Sequence, residues 1–200
     1  MGAAVSLGGY GSRVRRIGGT CRGSAWYRLS VLLIAVTMAT PTAHADDREQ
    51  TIRGALVAKF GRFAQWPDTA SGGIRAFVIG ILNDPSLADL IRSKVEGQTV
   101  HGLPVSVRDL RDPAAARECH VLFISPTAPS ELDLVLRVLG TAPVLTVGSQ
   151  SGFLEAGGII NLVTDQDRIR FAVNLAASRR AGVELDARLL RIAQRVVGES

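Results

Sequence analysis

The chain has 200 residues, with 23 Lys and Arg residues, 18 Asp and Glu residues and a formal net charge of +5. This length is typical of one domain. The whole excess of positive charge lies in residues 1–45, which hold five arginines and no acidic residue, so residues 46–200 carry 18 charges of each sign. A charge-balanced domain lacks the basic surface that nucleic-acid-binding proteins need, and we expect no nucleic acid as a partner.

Residues 1–45 have the pattern of a cleavable export signal. An arginine-bearing stretch precedes an apolar run over residues 29–39, and Pro41 and the small-residue site Ala43-His44-Ala45 follow. The run has about 11 residues, whereas a membrane-spanning helix needs roughly 20, so a membrane anchor is the weaker alternative. The sequence predicts Sec export, cleavage after Ala45, and one working domain over residues 46–200. Cys119 is the one cysteine left in that domain, so it can form no internal disulfide.

The working domain alternates predicted helices with short apolar strands. Apolar residues at three- and four-residue steps predict a first helix, and Asp84 with Pro85 has the capping pattern of a second one. The predicted helices cover residues 47–63, 85–95, 130–140, 175–182 and 186–197, with a helical turn at 113–117. The predicted strands cover residues 74–81, 103–109, 120–124, 144–147, 159–164 and 168–173.

This alternation predicts the fold class and the place of a site. Near-continuous apolar strands are typical of a largely parallel sheet that helices cover on both faces. We therefore expect a three-layer, Rossmann-like α/β sandwich with an antiparallel C-terminal hairpin, at the sheet edge, formed by the last two strands. Ligands in such folds bind beyond the carboxyl ends of the strands. The candidate loops for a ligand or partner carry Asn83, Asp84, Ser125, Thr127, Ser149 and Gln150.

The domain offers little catalytic chemistry. Cys119 and His120 could form a thiolate nucleophile and its base, but neighbours on a strand point to opposite faces, and a buried cysteine is the simpler interpretation. The two histidines, His101 and His120, with Cys119 give at most a poor zinc set. We therefore predict no catalytic residues, no metal and no cofactor.

Aromatic and arginine side chains are the remaining candidates for recognition. Trp, Tyr and Arg are enriched at interface hot spots, although a tryptophan in the core is the commoner case. The candidate interface residues are Phe63, Trp66, Arg168, Arg170 and Phe171.

Several ordered segments together resemble the YfiR family. They are Phe60-x-x-Phe63-x-x-Trp66-Pro67, Val78-Ile79-Gly80, the stretches 118–124 and 143–147, the stretch from Gly157-Gly158 to Leu162, residues 170–175, and Leu189-Leu190-x-x-Ala193. The resemblance spans essentially the whole domain. It implies a periplasmic repressor of a membrane-bound diguanylate cyclase, in cyclic-di-GMP and biofilm signalling, which an outer-membrane lipoprotein can sequester and which can form a homodimer.

This chain departs from the family in two cysteine pairs, and its partner and function each have an alternative. Such repressors can carry a disulfide from the position of Cys119 to the first strand, where this chain has Phe77, and a second pair near Phe153 is missing. Control by internal disulfides is therefore not expected here. Other membrane sensors could be the partner, and a periplasmic small-molecule binding module that reports to a receptor is the alternative function.

Overall fold

The computed structural model describes residues 43–67, 75–127, 129–166 and 168–198. Most of the predicted export signal, residues 1–42, lies outside the described residues. Within the described ranges, no helix combines the length and the apolar character needed to cross a bilayer.

The described chain has the following helices and strands. The α-helices are α1 (Ala43–Phe60), α2 (Pro85–Val95), α3 (Pro129–Leu139), α4 (Leu175–Arg180) and α5 (Ala187–Ile192), and the 3-10 segments are η1 (Gly61–Phe63) and η2 (Pro113–Glu118). The strands are β1 (Ala64–Gln65), β2 (Phe77–Leu82), β3 (Thr99–Val100), β4 (Leu103–Leu110), β5 (Val121–Ile124), β6 (Leu145–Gly148), β7 (Ile160–Asp165), β8 (Arg168–Asn174), β9 (Glu184–Leu185) and β10 (Arg195–Val197).

Eight strands form one sheet in the order β10-β8-β7-β6-β5-β2-β4-β3. The neighbouring pairs β4-β2, β2-β5, β5-β6 and β6-β7 are all parallel. Strand β8 is antiparallel to β7, and β10 is parallel to β8. Strands β1 and β9 form a separate two-stranded antiparallel ladder. The predicted three-layer α/β fold with a largely parallel sheet and a late hairpin is confirmed.

The sheet separates two apolar clusters. One face packs against α1, α2 and α5, with Phe60, Phe77 and Phe123 among its buried side chains. The other face packs against α3 and η2, around Leu122 and Phe153. Strand β2 is buried along its whole length because both faces are covered, which explains why its sequence reads as an unbroken apolar run.

Two predictions about the C-terminal region are wrong. Residues 186–197 do not form one helix: α5 ends at Ile192, Ala193 is extended with ψ 139°, and Gln194 N donates to Phe171 O at 2.8 Å. Pairing of β10 with β8 overrides the helical spacing, and Val196 and Val197 suit a strand. The hairpin is therefore not the edge of the sheet, since β10 lies outside β8.

Strand β10 covers only part of β8. It pairs with residues 172–174, so within the described chain Arg168–Arg170 have no strand partner on that side. The sheet therefore has an open corner at the start of β8.

Candidate functional site

The six predicted loop residues lie together at the carboxyl ends of β2, β5 and β6. Asp84 caps α2 by accepting from Leu87 N at 2.9 Å, and its second oxygen accepts from Ser125 Oγ at 3.3 Å. Asn83 Nδ2 donates to Glu131 Oε1 at 3.1 Å, and Thr127 Oγ1 donates to the other oxygen of Glu131. These bonds tie the loops after β2 and β5 to each other and to α3. The polar groups there are largely engaged by the protein itself.

Ser149 and Gln150 differ because they line an open cleft. Gln150 Oε1 accepts from Thr127 N at 2.8 Å, and the Gln150 carbonyl accepts from Asn161 Nδ2 at 3.0 Å. Arg53 Nη1 reaches Ser149 Oγ at 3.5 Å. The cleft has a volume of about 770 Å³ and lies beside β7, β8 and β10, with Asn161, Glu155 and Arg195 on its other walls.

The loop that forms one wall of this cleft is built around Phe153. Its ring is fully buried between Gly148 and Gly158. A β-carbon would lie 2.4 Å from a ring atom at Gly148 and 2.1 Å from one at Gly158, so both positions accept only glycine unless the ring moves. The wall is therefore fixed by close packing.

The aromatic interface candidates are partly or fully engaged inside the domain. Phe171 is 6% exposed and packs edge-on against Phe60 at 5.2 Å. Trp66 is half-buried against the rings of Phe77, His101 and His120. Phe63 is half-buried, and the Arg188 guanidinium lies 5.8 Å from its ring centre. A partner could reach Phe63 and Trp66 directly but not Phe171.

The two arginine candidates lie on the open corner of the sheet. Arg168 and Arg170 are exposed on one face of β8, and the register places Arg195 of β10 on the same face. Arg170 pairs with Asp165 at 3.4 Å, and Arg195 pairs with Glu155 at 3.1 Å. We call the surface formed by Arg168, Arg170 and Arg195 the basic corner. Val163, opposite Arg170 on β7, is 37% exposed beside it.

Cys119 and His120 point to different sides of the sheet. Cys119 is 4% exposed and lies in the apolar cluster with Leu122, against Gly80 of β2. Burial raises the pKa of its thiol to about 11, so the thiol stays protonated at neutral pH and is a poor nucleophile. Phe77, which the resemblance placed opposite this cysteine, stacks on His120 instead, at 4.6 Å. The thiol is too buried for a bond to another chain.

His120 is held neutral by its surroundings. Its Nδ1 accepts a hydrogen bond from Val78 N at 3.1 Å, which requires that nitrogen to be unprotonated. Burial, and secondarily the nearby His101, lower the pKa of His120 below its ordinary value of 6.5. His101 is anchored separately, with Nε2 at 3.0 Å from Gly61 O and 2.9 Å from Ala64 O. No group of three or more metal-binding side chains occurs among the described residues.

We expect acid to destabilise the domain through His120. The unfolded chain binds this proton more readily, so the contribution of His120 is complete above its ordinary pKa of 6.5 and is lost as the pH falls toward the lower, folded-state pKa. Urea unfolding at about pH 7.5 and about pH 5.5 measures the effect. His120→Asn keeps an acceptor for Val78 N without the titration, and its free energy of unfolding should fall less. Equal losses in both proteins would contradict this assignment.

Sequence reasoning missed three of the residues around the cleft. Asn161 lies in the apolar stretch 159–162, and a polar residue inside a buried strand was the available signal. Arg53 and Arg195 gave none, because they reach the cleft from α1 and from a strand that the sequence pattern assigned to a helix.

Comparison with known proteins assigns the domain to a family. The model of the YfiR/HmsC-like family matches residues 50–194, which is nearly the whole of the described domain. The chain belongs to the YfiR/HmsC-like family. YfiR/HmsC-like proteins are periplasmic regulators, not enzymes, with a role in cyclic-di-GMP signalling and a membrane-bound partner.

Solved structures add little to this assignment. A conserved domain protein from Vibrio cholerae O1 biovar El Tor is 15% identical with a TM-score of 0.48, over 60% of this chain and 54% of that one. An ABC domain in complex with L-Trp from Streptococcus pneumonia is 14% identical with a TM-score of 0.45, over 60% and 55%. This chain spans about half the length of both. Those TM-scores are too low to support an inference about fold or function.

Proposed function

We propose that this YfiR/HmsC-like chain is exported to the periplasm, where it binds the sensor region of an inner-membrane diguanylate cyclase and keeps that enzyme inactive. The observation that carries the proposal is the family match over residues 50–194. The buried, protonated thiol of Cys119 supports action by contact, because it removes the one nucleophile that the sequence suggested.

Export is part of the proposal. The order of an arginine-bearing stretch, a short apolar run and the Ala43-His44-Ala45 site supports removal of residues 1–45. The working protein is then residues 46–200. The family resemblance further suggests sequestration by an outer-membrane lipoprotein and formation of a homodimer.

The basic corner is the surface that we assign to the cyclase. Arg168 and Arg170 are exposed on a segment of β8 that has no strand partner on its outer side within the described chain, and Val163 beside them exposes apolar area, 37% of its surface. The exposed guanidinium groups of this corner are the charges that an acidic surface of the cyclase would contact. Repression requires tighter binding to the inactive form of the cyclase than to the active form.

Deleting the gene should raise cellular cyclic-di-GMP severalfold, because the cyclase loses its repressor. The nucleotide is measured by mass spectrometry of cell extracts. Complementation with the full chain should restore the original level, whereas the matched control, a chain without residues 1–45 that stays in the cytoplasm, should not. Unchanged cyclic-di-GMP in the deletion strain would refute the proposal.

A further inference from the structure

We propose that the free edge of β4 binds an extended segment of a partner protein, in which two basic side chains flank an apolar one on the same face of the added strand. Strand β4 lies toward the opposite end of the sheet from the basic corner. The site is therefore separate from the surface assigned to the cyclase and does not depend on the function proposed above.

Strand β3 covers only the start of β4. It pairs with Leu103 and Pro104, and Gln98 O then accepts from Val105 N at 3.1 Å. Beyond this point β4 continues in unbroken parallel register with β2, so no bulge turns its outer side away. Within the described chain, the stretch Ser106–Leu110 therefore has a strand neighbour on one side only.

Val107 and Asp109 direct their backbone groups toward the free side. Successive residues of a strand direct their N–H and C=O groups to opposite edges. Leu110 O accepts from Asn83 N at 3.0 Å on the β2 side, whereas Val105 N donates on the outer side. Val107 and Asp109 are in step with Val105, and among the described residues nothing pairs with their outward N–H and C=O groups. Exposed groups of this kind are what an added strand binds.

A groove between β4 and α2 would receive side chains of the added strand. It has a volume of about 510 Å³. Val105 and Val107 are half-buried at its floor and pack against the apolar cluster to which α2 contributes. An added strand that continues the antiparallel direction of β3 places the side chain opposite Val107 in this groove. That position favours an apolar side chain.

Two carboxylates flank the position of that apolar side chain. Glu96 follows the end of α2 near the start of the free stretch, and Asp109 lies on the same face of β4 as Val107 near its end. Both are exposed, and neither forms an ion pair among the described residues. Lys or Arg two positions before and two positions after the apolar residue would share its face and reach these carboxylates.

The cations near the groove leave this negative charge in place. Arg92 lines the groove but pairs with Asp89, so that pair is neutral. Arg62, Lys94 and Arg111 are not among the residues that line the groove. The two carboxylates without an ion pair therefore leave a formal charge of −2, and charge complementarity selects a basic segment.

A second copy of β4 fits this edge less well. Pairing about Arg108 would set the arginines of two copies directly opposite each other, and like charges in that position are destabilising. Pairing about Val107 would bring Asp109 of one copy opposite Val105 of the other, where Gln98 already bonds. The edge therefore suits a different chain.

Peptide binding to the protein purified from the periplasm, followed by fluorescence anisotropy, tests the site. The probe is a labelled, end-capped peptide with the core Lys-Thr-Val-Thr-Lys, whose valine is the residue expected opposite Val107. This peptide should bind, and one with the core Glu-Thr-Val-Thr-Glu should bind at least about tenfold more weakly, because its carboxylates meet Glu96 and Asp109. Methylation of the valine nitrogen in the lysine peptide should abolish binding, since that N–H donates to Val107 O in the added strand.

A charge swap with a matched control identifies the location. Glu96→Lys/Asp109→Lys should lose the lysine peptide and gain the glutamate peptide, whereas Asp133→Lys/Glu184→Lys, which changes the net charge equally at exposed positions elsewhere, should keep the wild-type preference. No binding of the lysine peptide, binding that survives methylation, or equal effects in the two variants would each overturn the proposal.

Sedimentation velocity of the same protein tests the other occupant of the edge. Addition of the lysine peptide should leave the oligomeric state unchanged. A dimer that the peptide dissociates would assign the edge to a second copy and overturn the proposal. All these measurements are made without a cyclase, so failure of repression leaves their result unaffected.

Discussion

Gly158→Ala is expected to destabilise the domain by about 3 kcal/mol, because the new methyl group has no space. Its β-carbon would lie 2.1 Å from Phe153 Cε1. The ring cannot move away easily, since it is fully buried and also touches the position that a β-carbon would take at Gly148. Urea unfolding measured by circular dichroism gives the change in the free energy of unfolding.

Phe153→Ala is the matched background for this test. That variant alone should cost about 3–5 kcal/mol, since it leaves a cavity in the core. Adding Gly158→Ala to it should cost little more, because the ring that creates the clash is gone. Additive losses in the double variant would contradict the packing described for this loop.

The double charge reversal Arg168→Glu/Arg170→Glu should weaken binding of the cyclase by about a hundredfold, because like charges facing each other at an interface cost several kcal/mol. The change is confined to exposed side chains, and the Arg170–Asp165 pair that it breaks is an exposed one worth about 0–1 kcal/mol. Folding should therefore be nearly unaffected. Binding is measured by titrating the purified protein against cyclase-containing membranes.

Arg92→Glu/Arg108→Glu is the control for this reversal. Arg108 lies on β4, toward the other end of the sheet, and pairs with Glu118 at 2.8 Å, much as Arg170 pairs with Asp165. Arg92 is exposed on α2 and pairs with Asp89. This variant changes the net charge equally and should bind like the wild type. Equal losses in both variants would show that net charge, and not the basic corner, governs binding.

The fold was predictable where local sequence alone decides the structure. Strand β5 is an apolar run buried on both faces, and the start of α2 has a capping aspartate followed by proline, so both gave clear signals. Strand β10 gave no such signal. Its three residues are extended because they pair with β8, which lies about 20 residues earlier in the sequence, and local sequence does not reveal that pairing. The two-residue strands β1 and β9 were missed for the same reason.

The candidate site was likewise predictable only in part. The rule for parallel sheets located the loops after β2, β5 and β6, and the structure brings these loops together. The rule could not tell which polar side chains are used up in holding the loops: Asp84 is engaged with Leu87 and Ser125, whereas Ser149 lines a cleft. The bonds from Ser125 to Asp84 and from Asn83 to Glu131 join residues that are far apart in the sequence, so spacing in the sequence does not reveal them.

Photo-crosslinking in living cells tests contact with the cyclase most directly. A photoreactive residue in place of Val163, which is 37% exposed and lies opposite Arg170 on β7, probes the basic corner without changing its charge. The proposal predicts a covalent adduct with an inner-membrane diguanylate cyclase, identified by mass spectrometry and lost in the Arg168→Glu/Arg170→Glu variant. Adducts that contain no diguanylate cyclase, formed while the protein is present in the periplasm, would contradict it.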